Sequence, residues 1–100
     1  GVSSTNIPEQ FILYPNYPNP FNPTTKIDYG LAQEVNVSLV IFDILGREVI
    51  TLVNGLQEPG FKSIAWNGKD FLGSNVSAGM YLYLLQAGDF RQTRKMLLLK

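Results

Sequence analysis

The 100-residue chain contains neither histidine nor cysteine. Without histidine it lacks the usual general base at neutral pH and the commonest metal ligand. Without cysteine it has no thiolate nucleophile and no disulfide framework, which leaves the redox compartment open. Net charge is missing as well: eight basic and eight acidic residues cancel, so no global field favours nucleic acid, an anionic membrane or an acidic substrate. No apolar run approaches the roughly 20 residues that a membrane-spanning helix needs, and the opening residues show no signal-peptide pattern. The chain starts at Gly1 rather than methionine and reads as a fragment whose secretory signal would lie upstream. Serine and threonine are plentiful, but with no histidine and no Gly-x-Ser-x-Gly elbow a hydrolytic triad has no base. The carboxylates show no paired acid/base spacing, and no glycine-rich loop opens a helix to cradle a phosphate. The expectation is a non-enzyme with no cofactor, no nucleic-acid partner and no membrane span.

Hydrophobic residues make up 45% of the chain, and a domain of this size buries roughly 60–70% of the surface its unfolded form exposes, so a single core is feasible. The apolar period is two, not 3.6. Ile27, Tyr29 and Leu31 alternate with Lys26, Asp28 and Gly30, and Val35, Val37, Leu39 and Ile41 continue the pattern. Phe11 to Tyr14 reads as a short edge strand stopped by Pro15. Asp43 to Gly46 reads as the turn of a hairpin with Gly46 in a left-handed position, and Arg47 to Val53 as the returning strand. Asn54-Gly55 and Pro59-Gly60 are expected to bound a loop before Phe61 to Trp66. Asn67 to Gly73 is a long turn region, Met80 to Ala87 an apolar strand, Gly88-Asp89 a tight turn, and Phe90 to Leu99 the last strand. The fold class is therefore all-β: an immunoglobulin-like antiparallel β-sandwich of about seven strands. In such sandwiches a tyrosine near the start of a late strand bonds nearby backbone. Tyr81, after Ser77-Ala78-Gly79, is the candidate, and Trp66 is the candidate central aromatic.

Residues 1–10 are small and polar and read as a flexible linker, with an ordered domain over 11–100. Asn67 and Asp70 admit two readings, as oxygen ligands for calcium or as an Asx-turn whose side chain bonds its own backbone. The turn is favoured. Two N-x-S sequons, at Asn36 and Asn75, are discounted as chance matches. Five tyrosines and six phenylalanines are better read as core and cross-strand packing than as a stacking platform. In the last hairpin, Arg91, Arg94, Lys95 and Lys100 face only Asp89, a local basic excess. It suits a recognition surface or protection of a sheet edge.

The segment least like a strand or helix is Tyr17-Pro18-Asn19-Pro20-Phe21-Asn22-Pro23. With Pro15 it places four prolines in nine residues, which holds the backbone extended and removes ladder donors. This motif closely resembles the opening signature of the C-terminal sorting domains of the bacterial type IX secretion system, type A. Three further segments carry the same resemblance: Val37 to Val49 with Gly46-Arg47; Gly60 to Gly79 with Trp66, Gly68, Gly73 and Gly79; and Tyr81 to Lys100. Tyr14-Pro15 and Ala32 depart from the pattern without disturbing the rest. The Trp66 to Tyr81 part is also similar to the immunoglobulin-like domain of flagellar hook-capping proteins. A hook-cap-like structural module or a carbohydrate-binding module is therefore the alternative reading. The sorting-domain resemblance implies that the chain ends a larger secreted protein. Its upstream cargo would pass from the periplasm through the outer-membrane translocon of a Gram-negative bacterium. A cell-surface sortase would then cut within residues 1–10, leaving the cargo secreted or at the cell surface. Arg94, Lys95 and Lys100, on the last strand, are the candidate recognition residues.

Overall fold

The period-two pattern becomes seven strands in the computed structural model, which describes residues 7–100 and contains no helix among them. The strands are β1 (Ile12–Leu13), β2 (Thr25–Leu31), β3 (Val35–Asp43), β4 (Glu48–Gln57), β5 (Gly60–Trp66), β6 (Gly79–Ala87) and β7 (Phe90–Leu98). They form two antiparallel sheets, ordered β1-β2-β5 and β4-β3-β6-β7. The inward side chains Leu13, Ile27, Tyr29, Leu31, Leu39, Ile41, Tyr83, Leu85, Met96 and Leu98 fill the space between the sheets. Trp66 is 1% exposed and is among the largest fully buried side chains, as its candidacy for the central aromatic requires.

Local turn chemistry yields to the ladder at one place. Asn54-Gly55 does not open a loop. Asn54 pairs with Ser38 and Gly55 with Val37, and the ladder runs on to Gln57 opposite Val35. The long β3 edge offers hydrogen-bond partners to every second further residue, and this outweighs the Asn-Gly turn preference. Two register shifts, at Leu39/Val40 and Ile41/Phe42, lie in the same pairing and fit the twist expected where one strand carries extra residues.

The linker expected over residues 1–10 falls partly on residues 1–6, which lie outside the described residues. From Ile7 onward the chain follows the outer face of the three-stranded sheet, and Pro8 is buried there. Gly30 makes room for it, since a Cβ at this position would stand 2.8 Å from Pro8 Cγ and 2.9 Å from Ile12 Cγ2. Gly30→Val should therefore push Pro8 off the sheet. The expected cost is about 1–3 kcal/mol of stability from overpacking, read as a lower melting temperature, together with faster protease cleavage before Phe11.

Candidate functional site

Three X-Pro bonds in the proline segment are cis: Tyr17-Pro18, Asn19-Pro20 and Asn22-Pro23. The segment leaves β1, crosses the end of the sandwich and touches both sheets. On one side the Tyr17 and Lys26 amides and carbonyls exchange two bonds of 2.9 Å, which attaches the segment to β2. On the other side it attaches to the C-terminal end of β7. The Phe21 amide donates to the Leu97 carbonyl at 3.0 Å, the Leu99 amide to the Phe21 carbonyl at 2.9 Å, and the Leu97 amide to Asn19 Oδ1 at 3.0 Å. Asn19 and Phe21 thus act as a short extra strand on the edge of the second sheet, in parallel register at Phe21 and Leu98.

Buried polar bonds hold this crossing in place. Asn16 is 4% exposed; its amide donates to Tyr83 Oη at 2.9 Å and its Nδ2 to Thr25 Oγ1 at 2.9 Å. Thr25 Oγ1 donates to the Pro18 carbonyl at 2.8 Å, and the Tyr83 hydroxyl donates to the Tyr14 carbonyl at 2.9 Å. These side-chain bonds pair the Asn16 amide and the Tyr14 and Pro18 carbonyls where the proline-rich backbone forms no regular ladder. Below them the Phe21 ring lies 5.7 Å from Trp66, and Trp66 meets Tyr81 edge-on at 5.4 Å. The indole Nε1 donates to the Lys69 carbonyl at 2.9 Å, which satisfies its only polar group. Gly68 lies beneath the Pro23 carbonyl and accepts the Val76 amide. The Tyr81 hydroxyl donates to the Ser77 carbonyl at 2.6 Å, four residues upstream, so Tyr81 makes the corner expected of it at Gly79 and the start of β6.

Two turns at this end are built alike, and their sequences already show why: Asp43-Ile44-Leu45-Gly46 and Asp70-Phe71-Leu72-Gly73. In the first, Asp43 Oδ1 accepts the Leu45 and Arg47 amides at 3.0 and 2.9 Å, and Oδ2 accepts Arg47 Nε at 2.8 Å. In the second, Asp70 Oδ1 accepts the Leu72 and Ser74 amides at 2.9 and 3.0 Å. Gly46 and Gly73 have φ of 85° and 81°, a conformation that side-chain-bearing residues rarely adopt. Asp70 therefore makes the Asx-turn through Oδ1. The Arg47 amide and guanidinium hold the Asp43 carboxyl below the usual carboxylate range. Both turns point two apolar side chains at solvent: Ile44, Leu45, Phe71 and Leu72 are 72–75% exposed.

The candidate recognition residues are not brought together. Lys95 is exposed on the outer face of β7. Arg94 points the other way, is half-buried, and donates Nε to the Leu13 carbonyl at 2.8 Å, bracing one sheet against the other. Lys100 is exposed at the far end, beside Asn22 and Pro23. Sequence reasoning missed the brace formed by Asn16, Thr25 and Tyr83, whose partners are up to 69 residues apart and leave no local signal. The repeat of Asp-x-Leu-Gly at residues 43–46 and 70–73 was missed as well, although its local spacing carries the signal for the paired turns.

Burial raises the hydroxyl pKa of Tyr29, Tyr81 and Tyr83 above the ordinary 10.0, and the Asp43 charge adds to the effect at Tyr81. A raised folded-state pKa means that the associated stability is fully present below about pH 10 and is lost as pH rises through the folded values. Melting temperature should accordingly be flat in this respect to about pH 10 and fall above it. Tyr83→Phe should melt lower at pH 7, because it strips both hydroxyl bonds, yet show a shallower alkaline fall. A parallel fall in both proteins would mean that Tyr83 carries none of the effect.

A family model described as the secretion system C-terminal sorting domain matches residues 15–99. No curated protein matches the chain. Among solved structures, PorZ, described as an essential bacterial surface component of the type-IX secretion system of Porphyromonas gingivalis, is 20% identical with a TM-score of 0.62; the match covers 88% of this chain and 11% of PorZ. Dimeric latent PorU from the same organism is 21% identical with a TM-score of 0.66, covering 89% of this chain and 9% of PorU. FlgD from P. aeruginosa is 28% identical with a TM-score of 0.58, covering 74% of this chain and 57% of FlgD. The chain thus spans about a tenth of the length of PorZ and PorU.

Proposed function

The chain belongs to the family of secretion-system C-terminal sorting domains, and we propose from that premise that it is the folded address by which a larger protein is carried across the outer membrane. The observation that carries this reading is the docking of Asn19 and Phe21 on Leu97 and Leu99. It joins the proline motif and the last strand in one continuous surface, so a receptor reading either one meets both. The partners are the type IX translocon and a cell-surface sortase, and the cargo is the polypeptide joined through the linker of residues 1–10. The domain is a substrate of this machinery and not a catalyst. The sortase cuts within residues 1–10 and the cargo ends secreted or at the cell surface of a Gram-negative bacterium.

The alternative, a sugar- or partner-binding module, would need a cluster of exposed aromatics. Tyr17 and Phe61 are exposed but sit at opposite ends of β2, opposite Lys26 and Gly30, and Phe71 belongs to a separate turn. The sorting reading is tested by fusing a signal peptide and a fluorescent reporter ahead of residues 1–100, in a host with a type IX system and in the same host with the translocon disabled. Reporter on the surface or in the medium of the first and in the periplasm of the second is the expected result. Equal periplasmic retention in both would overturn it.

A further inference from the structure

Four features meet along β7. It is an edge strand of its sheet, paired on one side with β6 in unbroken register from Gly79 opposite Leu98 to Ala87 opposite Phe90. On its other side, the Leu97 amide and carbonyl point away from β6, and the proline segment takes both. Backbone direction alternates along a strand, so the amides and carbonyls of Arg91, Thr93 and Lys95 point outward as well. Among the described residues no backbone bond covers them. Half of this edge is therefore filled by the chain's own Asn19 and Phe21, and the other half is open. Beside the open half lies a shallow hollow bordered by Pro15, Tyr83, Thr93, Arg94 and Lys95.

We propose that the open half of β7, Arg91 to Lys95, takes an added β-strand from the export machinery, an extended segment with acidic side chains on its outer face. This inference rests on the sorting reading and names how the last strand is recognised. Strand addition supplies affinity through main-chain bonds, and side chains at every second position supply selectivity. The outer-face side chains Arg91 and Lys95 are exposed, and between Ala87 and Lys100 the only acid is Asp89 in the turn. A second copy pairing here would set lysine and arginine against their like, which disfavours self-association. An acidic strand meets the opposite charge. Its inward side chains face the hollow beside Pro15 and must be small or apolar. Arg94 is already committed to Leu13 and holds the hollow's floor in place.

Proline at position 93 removes an outward amide and leaves the bonds to β6 intact, so it separates backbone pairing from side-chain contact. In the reporter fusion, Thr93→Pro should export at least tenfold less than the parent while melting cooperatively, and Thr93→Val, which keeps the amide, should export normally. Charge reversal at two exposed positions, Arg91→Glu with Lys95→Glu, should also cut export at least tenfold in a folded domain. Normal export of either folded variant overturns the proposal, and if Thr93→Pro fails to fold, the charge-reversed variant decides alone. Deletion of residues 91–100 separates the two levels. If export is lost on deletion but normal in the folded point variants, only strand addition fails. If export survives the deletion, the sorting reading fails with it.

Discussion

Trp66→Ala should leave the domain largely unfolded at 37 °C and abolish export, although it alters nothing on β7. The indole is 1% exposed, lies between Phe21 and Tyr81, and donates to the Lys69 carbonyl. Truncating a buried tryptophan costs about 3–5 kcal/mol, with a further contribution from the unpaired Lys69 carbonyl. A domain of this size has a total stability on the order of 5–15 kcal/mol, so the loss takes most of the margin at the lower end. Trp66→Phe, which keeps ring packing and loses only the indole bond, should restore much of the stability and the export. Cooperative melting followed by circular dichroism, together with reporter location, reads both effects. Normal export by an unfolded Trp66→Ala domain would show that the last strand is read as a linear peptide.

Phe21→Ala should have the next largest effect, and a more local one. The side chain is 2% exposed and packs on Trp66, so its removal costs about 3–5 kcal/mol by the same cavity argument. Its backbone also holds the end of β7 through Leu97 and Leu99. With the ring gone, the proline segment loses its anchor between the sheets. Amide exchange should then accelerate first at Leu99 and Leu97, before the central pairs of β3 and β6. Uniform acceleration across both sheets would mean that the segment is held by something other than Phe21. Asn19→Ala removes the side-chain acceptor of the Leu97 amide without touching the core, so it should loosen the same end of β7 with a smaller loss of stability.

How much of this was legible in the sequence follows from the range of each interaction. Alternation at Ile27, Tyr29 and Leu31 and at Val35 to Ile41 is local, and it gave strands β2 and β3 and the all-β class. The Tyr81 corner and the turn at Asp43 to Gly46 span four residues and were readable for the same reason. The Asn54-Gly55 pair misled because a turn signal is local whereas the β3 partner that recruits it is not. The direction of Arg94 depends on the parity of β7 against β6, set by the two-residue turn at Gly88-Asp89. A basic cluster in the sequence therefore divides between two faces in the fold. Four prolines in nine residues marked the segment as extended and the family resemblance identified the motif, but its grip on Leu97 joins residues 78 apart, and no spacing in the chain announces it.

The most direct test of the central claim compares two reporter fusions in a host with a functioning type IX system, one with the intact domain and one lacking residues 91–100. Signal at the surface or in the medium is expected for the intact domain and periplasmic retention for the truncated one. Surface signal from both would contradict it, because an address that includes β7 cannot survive the loss of that strand.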